Sequence, residues 1–154
     1  YNPAKYESLC NTADIVVVRC EEKLTHWGQP LKVLMVKRSN HPSIGFWATP
    51  GGFVELKEDI SEGAARELEE ETGYRSDKLE WLITLRTTVA LCNEKIEVYV
   101  ARNLIRTHQH LDENEFVNVE AHTVEELKQM IFEGKIEDSK TVAAILAYDA
   151  KYNR

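Results

Sequence analysis

Carboxylate side chains gather in one short stretch of the chain. Glu67, Glu70 and Glu71 stand three and four residues apart, so on a helix they share one face within an arc of about 100°. Carboxylates at i,i+4 spacing repel one another by roughly 0.2–0.5 kcal/mol per pair. A bound divalent cation would offset that repulsion, and an all-oxygen ligand set suits Mg²⁺ or Mn²⁺ rather than Zn²⁺.

The alternative interpretation is a solvated, glutamate-rich helix face, which would need nothing special around it. The flanking residues favour a built site instead. Gly51 and Gly52 precede the helix, and glycine lets a backbone turn sharply and bring a carbonyl close to a ligand. Glu58 stands just ahead of the helix, at a fixed spacing that a solvated face would not require. Arg66 can offset part of the repulsion by pairing with Glu70 one turn on, or with a carboxylate elsewhere.

The helix that carries these carboxylates has clear ends in the sequence. Asp59 is a good N-cap, and Glu62 three residues later completes a capping box. Gly73 is placed to end the helix. Ala64 and Leu68 fall beside the acidic face, so we expect the helix to pack on a sheet and present its carboxylates along one edge.

Six further segments have strand-type composition or strand-type boundaries, and two more helices follow them. The predicted strands are Ala13–Cys20, Leu31–Lys37, Phe46–Thr49, Leu79–Val89, Lys95–Ala101 and Phe116–Glu120. One late helix begins at a capping box formed by Thr123 and Glu126 and ends near Gly134; the last runs from Asp138-Ser139 through Ala150. The pattern predicts one mixed α/β domain over residues 1–154, with a largely non-parallel sheet between helices.

Composition limits the partners and the compartment. The formal charge of −7 argues against a nucleic-acid binder that neutralises phosphates with a basic face. It allows a phosphate-containing small molecule held through divalent cations. No apolar run approaches the ~20 residues of a membrane span. The three cysteines, Cys10, Cys20 and Cys92, are simplest as free thiols, so we expect a cytoplasmic protein.

The segment from Gly52 to Tyr74 resembles the Nudix box. That motif is a Gly, five residues, Glu, seven residues, Arg-Glu, an apolar residue, any residue, Glu-Glu, any residue, Gly and an apolar residue. The matching positions are Gly52, Glu58, Arg66, Glu67, Leu68, Glu70, Glu71 and Gly73, while Tyr74 stands where an aliphatic residue is usual. The resemblance extends from about Ala13 to Tyr148 and implies the Nudix α/β/α sandwich with a loop–helix–loop motif.

The resemblance also implies roles for these residues. Glu67, Glu70 and Glu71 become metal ligands, aided by the carbonyl of Gly51 or Gly52, so that Glu67 and Glu71 are also catalytic. Glu58 and Arg66 are then expected to orient the carboxylates rather than to touch the metal.

A second acidic cluster, Asp112 to Glu115, would by itself be interpreted as an acidic loop. Nudix enzymes that resemble ADP-ribose pyrophosphatases carry a Glu-x-Glu loop at this place. The resemblance therefore implies that Glu113 is the base that activates water and that Glu115 is an additional metal ligand. The two roles could be exchanged.

Cations and aromatic residues near the second strand are candidates for substrate binding. Lys37 and Arg38 end that strand and could reach substrate phosphates, with Arg38 the preferred candidate. Phe46 and Trp47 could stack on a base, but an aromatic side chain entering a core is an equal alternative.

The implied activity is hydrolysis of the diphosphate in a nucleoside diphosphate derivative such as ADP-ribose or an ADP-sugar, releasing a nucleoside monophosphate. ADP-ribose hydrolases of the family often carry a proline shortly after the box, whereas this chain has no proline after Pro50. That departure favours an ADP-sugar or another derivative over ADP-ribose itself. The alternatives are a nucleoside triphosphate pyrophosphohydrolase and a non-catalytic, nucleotide-sensing Nudix domain. A homodimer is compatible with the resemblance.

Overall fold

The computed structural model describes residues 11–19, 31–39, 44–55, 57–91, 93–111 and 117–153. Within these ranges the chain forms nine strands and three helices. They are β1 (Asn11–Arg19), β2 (Lys32–Arg38), β3 (Trp47–Ala48), β4 (Gly51–Phe53), α1 (Ile60–Thr72), β5 (Tyr74–Ser76), β6 (Leu79–Arg86), β7 (Lys95–Ala101), β8 (Leu104–Arg106), β9 (Val117–Thr123), α2 (Val124–Phe132) and α3 (Ser139–Tyr152).

The main sheet is mixed and centres on β1. Its strands follow the order β3-β2-β1-β7-β6, and β9 pairs along the whole length of β2. β1 runs parallel to β7 and antiparallel to its other partners. The last residues of β1 pair with β2, whereas Thr12 to Asp14 pair with β4. This arrangement sets Gly51 directly opposite Asp14 in the middle of the sheet.

Alternate residues of β1 reach opposite faces of the sheet, as strand geometry requires. Ala13, Ile15 and Val17 pack with Ala64 and Leu68 of α1. On the other face, Val16 and Val18 join a cluster that includes residues of both late helices: Val124, Leu127, Met130, Ala144, Ile145 and Tyr148. Burial on both faces explains why β1 has a nearly continuous apolar sequence. The predicted helix–sheet–helix sandwich is confirmed.

The three helices begin where their caps were predicted. In α1 the backbone N–H of Asp59 donates to Glu62 Oε2 at 3.3 Å, and Gly73 ends the helix with a left-handed φ of 68°. In α2 the hydroxyl of Thr123 accepts from the backbone N–H of Glu126 at 3.2 Å. In α3 the Asp138 carboxylate accepts from the third residue of the helix at 3.0 Å. No helix among the described residues is long and apolar enough to cross a membrane.

The observed strands differ from the sequence prediction at several boundaries, and β4 was not predicted as a strand. The strand predicted over Leu79–Val89 ends at Arg86, because the chain turns near Thr88, whose carbonyl accepts from Leu91 N–H at 2.9 Å. The strand predicted to end at Glu120 continues to Thr123, because all seven residues of β2 pair with it. β5 and β8 form a separate two-stranded sheet that the sequence did not predict, since three-residue strands are too short to show a period. The residues Cys10, Cys20, Cys92 and Phe116 lie outside the described ranges.

Candidate active site

The two glycines of β4 each contact a glutamate of α1. The backbone N–H of Gly51 donates to Glu71 Oε2 at 2.9 Å. A Cβ added to Gly52 would lie 2.6 Å from the carboxyl oxygens of Glu67. A larger residue at position 52 would therefore displace that carboxylate. The backbone of β4 and the acidic edge of α1 form one continuous surface.

Arg66 is the cation at the centre of this surface. Its Nε donates to Glu58 Oε1 at 3.1 Å, and its Nη1 donates to Glu67 Oε1 at 2.8 Å and to Glu70 Oε2 at 2.9 Å. Its Nη2 also donates to the carbonyl of Phe53 at 3.0 Å, which ties the guanidinium to β4. We call Glu58, Arg66, Glu67, Glu70 and Glu71 the Arg66 cluster.

Hydrogen bonding within the Arg66 cluster shifts two pKa values. The bond to Glu58, followed by those to Glu67 and Glu70, keeps the pKa of Arg66 above its ordinary value. The same bond holds the pKa of the Glu58 carboxyl below its ordinary value. Both residues therefore stay charged at neutral pH, as their predicted orienting role requires.

The Arg66 cluster has more negative than positive charge. One guanidinium balances one of the three carboxylates that it contacts, and Glu71, with 8% of its surface exposed, adds another next to Gly51. Within the described part of the chain, no three acidic, histidine or cysteine side chains converge closely enough to hold a metal ion. The donor set of hard carboxylate oxygens nevertheless fits Mg²⁺ or Mn²⁺ in type and charge. The Glu70 side chain, 40% exposed, has room to change its partner.

The structure brings together the six box-region residues predicted for the site: Gly51, Glu58, Arg66, Glu67, Glu70 and Glu71. Glu113 and Glu115 lie outside the described residues, so their roles stay predictions. The chain shortly before them is bonded to the end of α1. There His110 N–H donates to the carbonyl of Glu70 at 3.0 Å, and Gln109 Nε2 donates to the carbonyl of Glu71 at 2.6 Å.

Arg38 lies in a different part of the molecule, in a cleft beside the start of α3. The cleft has a volume of about 400 Å³ and is lined by Arg38, Phe46, Trp47, Ala48, Glu137, Asp138 and Lys140. Trp47 is only 8% exposed and belongs to the core, with its ring edge-on to that of His122 at 5.1 Å. Most of the Trp47 side chain is therefore buried in the core, as the second interpretation of this residue predicts. Ala48 is three residues from Gly51, a span of at most about 10 Å.

A buried polar network that the sequence did not predict lies next to this cleft. Asp14 is 1% exposed, and its Oδ2 forms an ion pair with Lys140 Nζ at 3.1 Å. The same Nζ lies 3.2 Å from Asp138 Oδ2. Burial raises the pKa of the Asp14 carboxyl. Burial by itself would lower the pKa of the Lys140 ammonium, but the two neighbouring carboxylates outweigh that effect, and the pKa is raised. A carboxylate inside the apolar run ADIVVV was the signal that could have indicated a buried partner.

Two threonines complete the network. Thr49 Oγ1 donates to Asp14 Oδ2 at 3.2 Å, and its backbone N–H donates to Thr141 Oγ1 at 3.1 Å. Thr141 Oγ1 in turn donates to Asp138 Oδ2 at 2.6 Å. We call Asp14, Thr49, Asp138, Lys140 and Thr141 the Lys140 network.

The fold and the box together define a protein class. A model of the NUDIX domain matches residues 11–145, and the chain belongs to this family. The family prediction is therefore confirmed.

Two curated relatives are similar over the same length of chain. The chain is 41% identical over 117 residues to the methanol dehydrogenase activator of Bacillus methanolicus. It is 34% identical over 117 residues to the ADP-ribose pyrophosphatase of Bacillus subtilis (strain 168). Each alignment covers 74% of this chain and 63% of the relative, so the chain spans less than two thirds of the length of these relatives. Similarity to a named pyrophosphatase agrees with the prediction of a Nudix hydrolase.

A solved structure supports the fold. The NUDIX domain of Shewanella oneidensis NrtR, solved in complex with ADP ribose, matches with a TM-score of 0.69. The match has 23% sequence identity and covers 98% of this chain and 93% of that one. At this identity the likeness establishes the common fold.

Proposed function

We propose that this protein hydrolyses the diphosphate linkage of a nucleoside diphosphate derivative of the ADP-ribose or ADP-sugar type and releases a nucleoside monophosphate. The observation that carries the proposal is the gathering of four glutamate carboxylates around Arg66 and against the glycine backbone of β4. The similarity to the ADP-ribose pyrophosphatase of Bacillus subtilis supports this substrate class.

The proposed metal ligands are Glu67, Glu70, Glu71 and the carbonyl of Gly51, with Glu115 as an additional ligand. A bound Mg²⁺ or Mn²⁺ would neutralise the diphosphate and lower the pKa of a water molecule. The hydrogen bonds around these ligands indicate how neighbouring groups would orient them. Gly51 N–H holds one oxygen of Glu71, which fixes the direction of that carboxylate.

Arg66 and Glu58 orient the other carboxylates. The guanidinium holds Glu67 and Glu70 through one nitrogen, while Glu58 and the Phe53 carbonyl hold the guanidinium. Charge-assisted bonds of this kind are short and directional, so they preorganise the site. Glu113 is the proposed base that accepts the proton of the attacking water, and its role can be exchanged with that of Glu115.

The cleft beside α3 is the proposed place for the part of the substrate beyond the diphosphate. Its volume of about 400 Å³ falls in the range of small-molecule sites. Arg38 supplies a cation at its wall and Phe46 an aromatic surface, so the cleft suits a nucleoside with attached phosphate. A cytoplasmic location, expected from three cysteines that are simplest as free thiols, and a homodimer, with which the family resemblance is compatible, complete the proposal.

A nucleotide-sensing domain is the second candidate function. The NUDIX domain of NrtR was solved with ADP ribose, and the chain is 36% identical over 87 residues to an ADPR responsive transcriptional repressor of Acinetobacter baylyi. Binding without turnover would be enough for such a role. The complete set of box glutamates in this chain favours the enzyme.

A panel of substrates with Mg²⁺ distinguishes the candidates. The panel contains ADP-ribose, ADP-glucose, NADH, diadenosine polyphosphates and nucleoside triphosphates, and the products are separated by chromatography. We expect release of AMP from ADP-ribose or ADP-glucose. Release of pyrophosphate from a triphosphate would instead show a triphosphate pyrophosphohydrolase. Tight ADP-ribose binding with no turnover of any compound would show a sensor.

The site is tested by Glu71→Gln, which keeps the size of the side chain and removes its charge. We expect kcat to fall at least about 100-fold, since one preorganised electrostatic contact contributes that much to catalysis, with little change in thermal stability. Glu69→Gln is the matched control, because Glu69 is on the same helix at the variable position of the box; its kcat should stay at the wild-type value. Near-normal turnover in Glu71→Gln would refute the site.

A further inference from the structure

The ion pair between Asp14 and Lys140 lies on the far side of the sheet from α1. Asp14 is on the face of β1 that carries Val16 and Val18, and Lys140 is in the first turn of α3. A carboxylate with 1% exposure is retained in a core only when it is paired and hydrogen-bonded, because desolvation of an ion is costly.

The Lys140 network is hydrogen-bonded to the segment that leads into β4, residues 49–51. The side chain and the backbone N–H of Thr49 are both bonded within the network. The carbonyl of Pro50 accepts from Ile15 N–H at 2.8 Å. Gly51 is paired opposite Asp14. Three consecutive residues are therefore fixed to β1 and α3 immediately before the Arg66 cluster begins.

Gly51 fills the space between the Lys140 network and the Arg66 cluster. A Cβ added to it would lie 2.6 Å from Asp14 Oδ1 and 2.3 Å from the carbonyl oxygen of Ala13. The carboxylate of Asp14 thus packs against the same residue whose N–H donates to Glu71 Oε2. A continuous path of contacts runs from Lys140 Nζ through Asp14 and Gly51 to Glu71.

We infer that Lys140 is a positioning residue for the proposed hydrolysis: by pairing with Asp14 it fixes the backbone of residues 49–51 and, through Gly51 N–H, the Glu71 carboxylate. The inference rests on the proposed function for its catalytic readout. A displacement of about 1 Å at a reacting group can lower a rate roughly 100-fold, so a contact on the opposite face of the sheet can matter to catalysis.

The competing explanation is that the ion pair only anchors α3 and stabilises the fold. A pair of variants separates the two. Lys140→Met leaves Asp14 buried without its ammonium partner, so we expect a lower thermal midpoint together with a lower kcat. The double variant Asp14→Asn/Lys140→Met leaves no buried charge at position 14, and Asp138, which also loses the ammonium, keeps its two hydrogen bonds from Thr141. Replacing both members of a buried pair is often close to neutral for stability.

The double variant gives the decisive kinetic result. We expect its thermal midpoint to return to near the wild-type value while kcat stays roughly 10- to 100-fold low. Lys140 also lines the cleft, so the single variant Asp14→Asn, which leaves that ammonium in place, should lower kcat with KM within about threefold of wild type. Recovery of kcat along with stability in the double variant would overturn the inference.

Lys128→Met is the matched control. The ammonium of Lys128 pairs with Asp149 at 3.0 Å and so also ties α3 to a neighbouring element, α2. This variant removes a lysine–aspartate pair of the same type away from residues 49–51. We expect its kcat to equal that of the wild type.

A second readout does not depend on turnover. Hydrogen exchange of the Gly51 amide, followed by NMR, reports directly on its bond to Glu71. We expect exchange at least about tenfold faster in the double variant than in the wild type and in Lys128→Met, as for an amide that opens locally. Unchanged exchange would overturn the inference even if kcat fell. If the wild-type protein turns over no diphosphate at all, the proposed function fails, while this measurement still decides whether Lys140 controls Gly51.

Discussion

Two regions of this protein each place one cation among several carboxylates, and they differ in charge and exposure. In the Arg66 cluster the guanidinium faces three glutamates and is itself 27% exposed. In the Lys140 network the ammonium faces two aspartates, one of them almost completely buried, and threonine hydroxyls supply further hydrogen bonds. The first region keeps a clear excess of negative charge next to solvent, whereas the second is close to balanced and well hydrogen-bonded.

This difference indicates what each region can do. Excess negative charge is destabilising until a cation arrives, so a protein keeps it where a cation is needed. A nearly balanced, buried pair has little to offer a ligand, and its value is in fixing the groups that it contacts. The two regions meet at Gly51, which contacts Asp14 on one side and Glu71 on the other.

Gly51→Ala is expected to have the largest effect, because it damages both regions together. The glycine has a φ of 153°, and the new Cβ would meet the backbone of Ala13 and the side chain of Asp14 at 2.3–2.6 Å. Backbone cannot move aside as a flexible side chain can. We expect a loss of about 3 kcal/mol or more in the free energy of unfolding, measured by urea denaturation, and no detectable turnover.

Gly45→Ala is the control for the backbone strain alone. Gly45 also has a positive φ, of 83°, but nothing lies within 4 Å of an added Cβ. We expect a loss of about 1–2 kcal/mol with normal turnover. Equal losses in the two variants would show that the contact with Asp14 and Ala13 is not tight.

Arg66→Met is expected to have the next largest effect, confined to the α1 side of the sheet. Removing the shared partner leaves Glu58, Glu67 and Glu70 without their common cation, for a loss of about 1–3 kcal/mol in the free energy of unfolding. Added Mg²⁺ should then raise the thermal midpoint more in this variant than in the wild type, because the ion replaces missing positive charge. Thermal unfolding in EDTA and in Mg²⁺ measures both effects.

Arg75→Met provides the comparison for Arg66→Met, since Arg75 is an exposed arginine of β5. It should match the wild type in both solutions. A variant at Arg66 that gains no more from Mg²⁺ than Arg75→Met would contradict the proposal that the cluster binds a divalent cation.

Thr123→Ala is expected to have the smallest effect, because it lies outside both regions. The hydroxyl of Thr123 caps α2 by accepting from Glu126 N–H at 3.2 Å. Losing an N-cap costs about 1 kcal/mol, so the midpoint of urea denaturation should fall slightly while kcat stays unchanged. A large loss of turnover would mean that α2 influences the site, and the division into two regions would need revision.

The candidate site was more predictable than the sheet around it. Spacing along one helix is a local property, so the shared face of Glu67, Glu70 and Glu71 and the ends of α1 follow from the sequence. β7 was also predicted with its observed bounds. The short strands β5 and β8 were missed, because their formation depends on pairing between residues about 30 positions apart.

The sequence by itself determined the box, the caps of the three helices and the family to which they point, since each depends on residues that are close together in the chain. Only the tertiary structure decided that Asp14 and Lys140 form a pair, because these residues are far apart in the chain and meet only when α3 packs on the sheet. It also decided that Gly51 lies between them and Glu71. Local spacing encodes which groups are available, and long-range packing sets which of them touch.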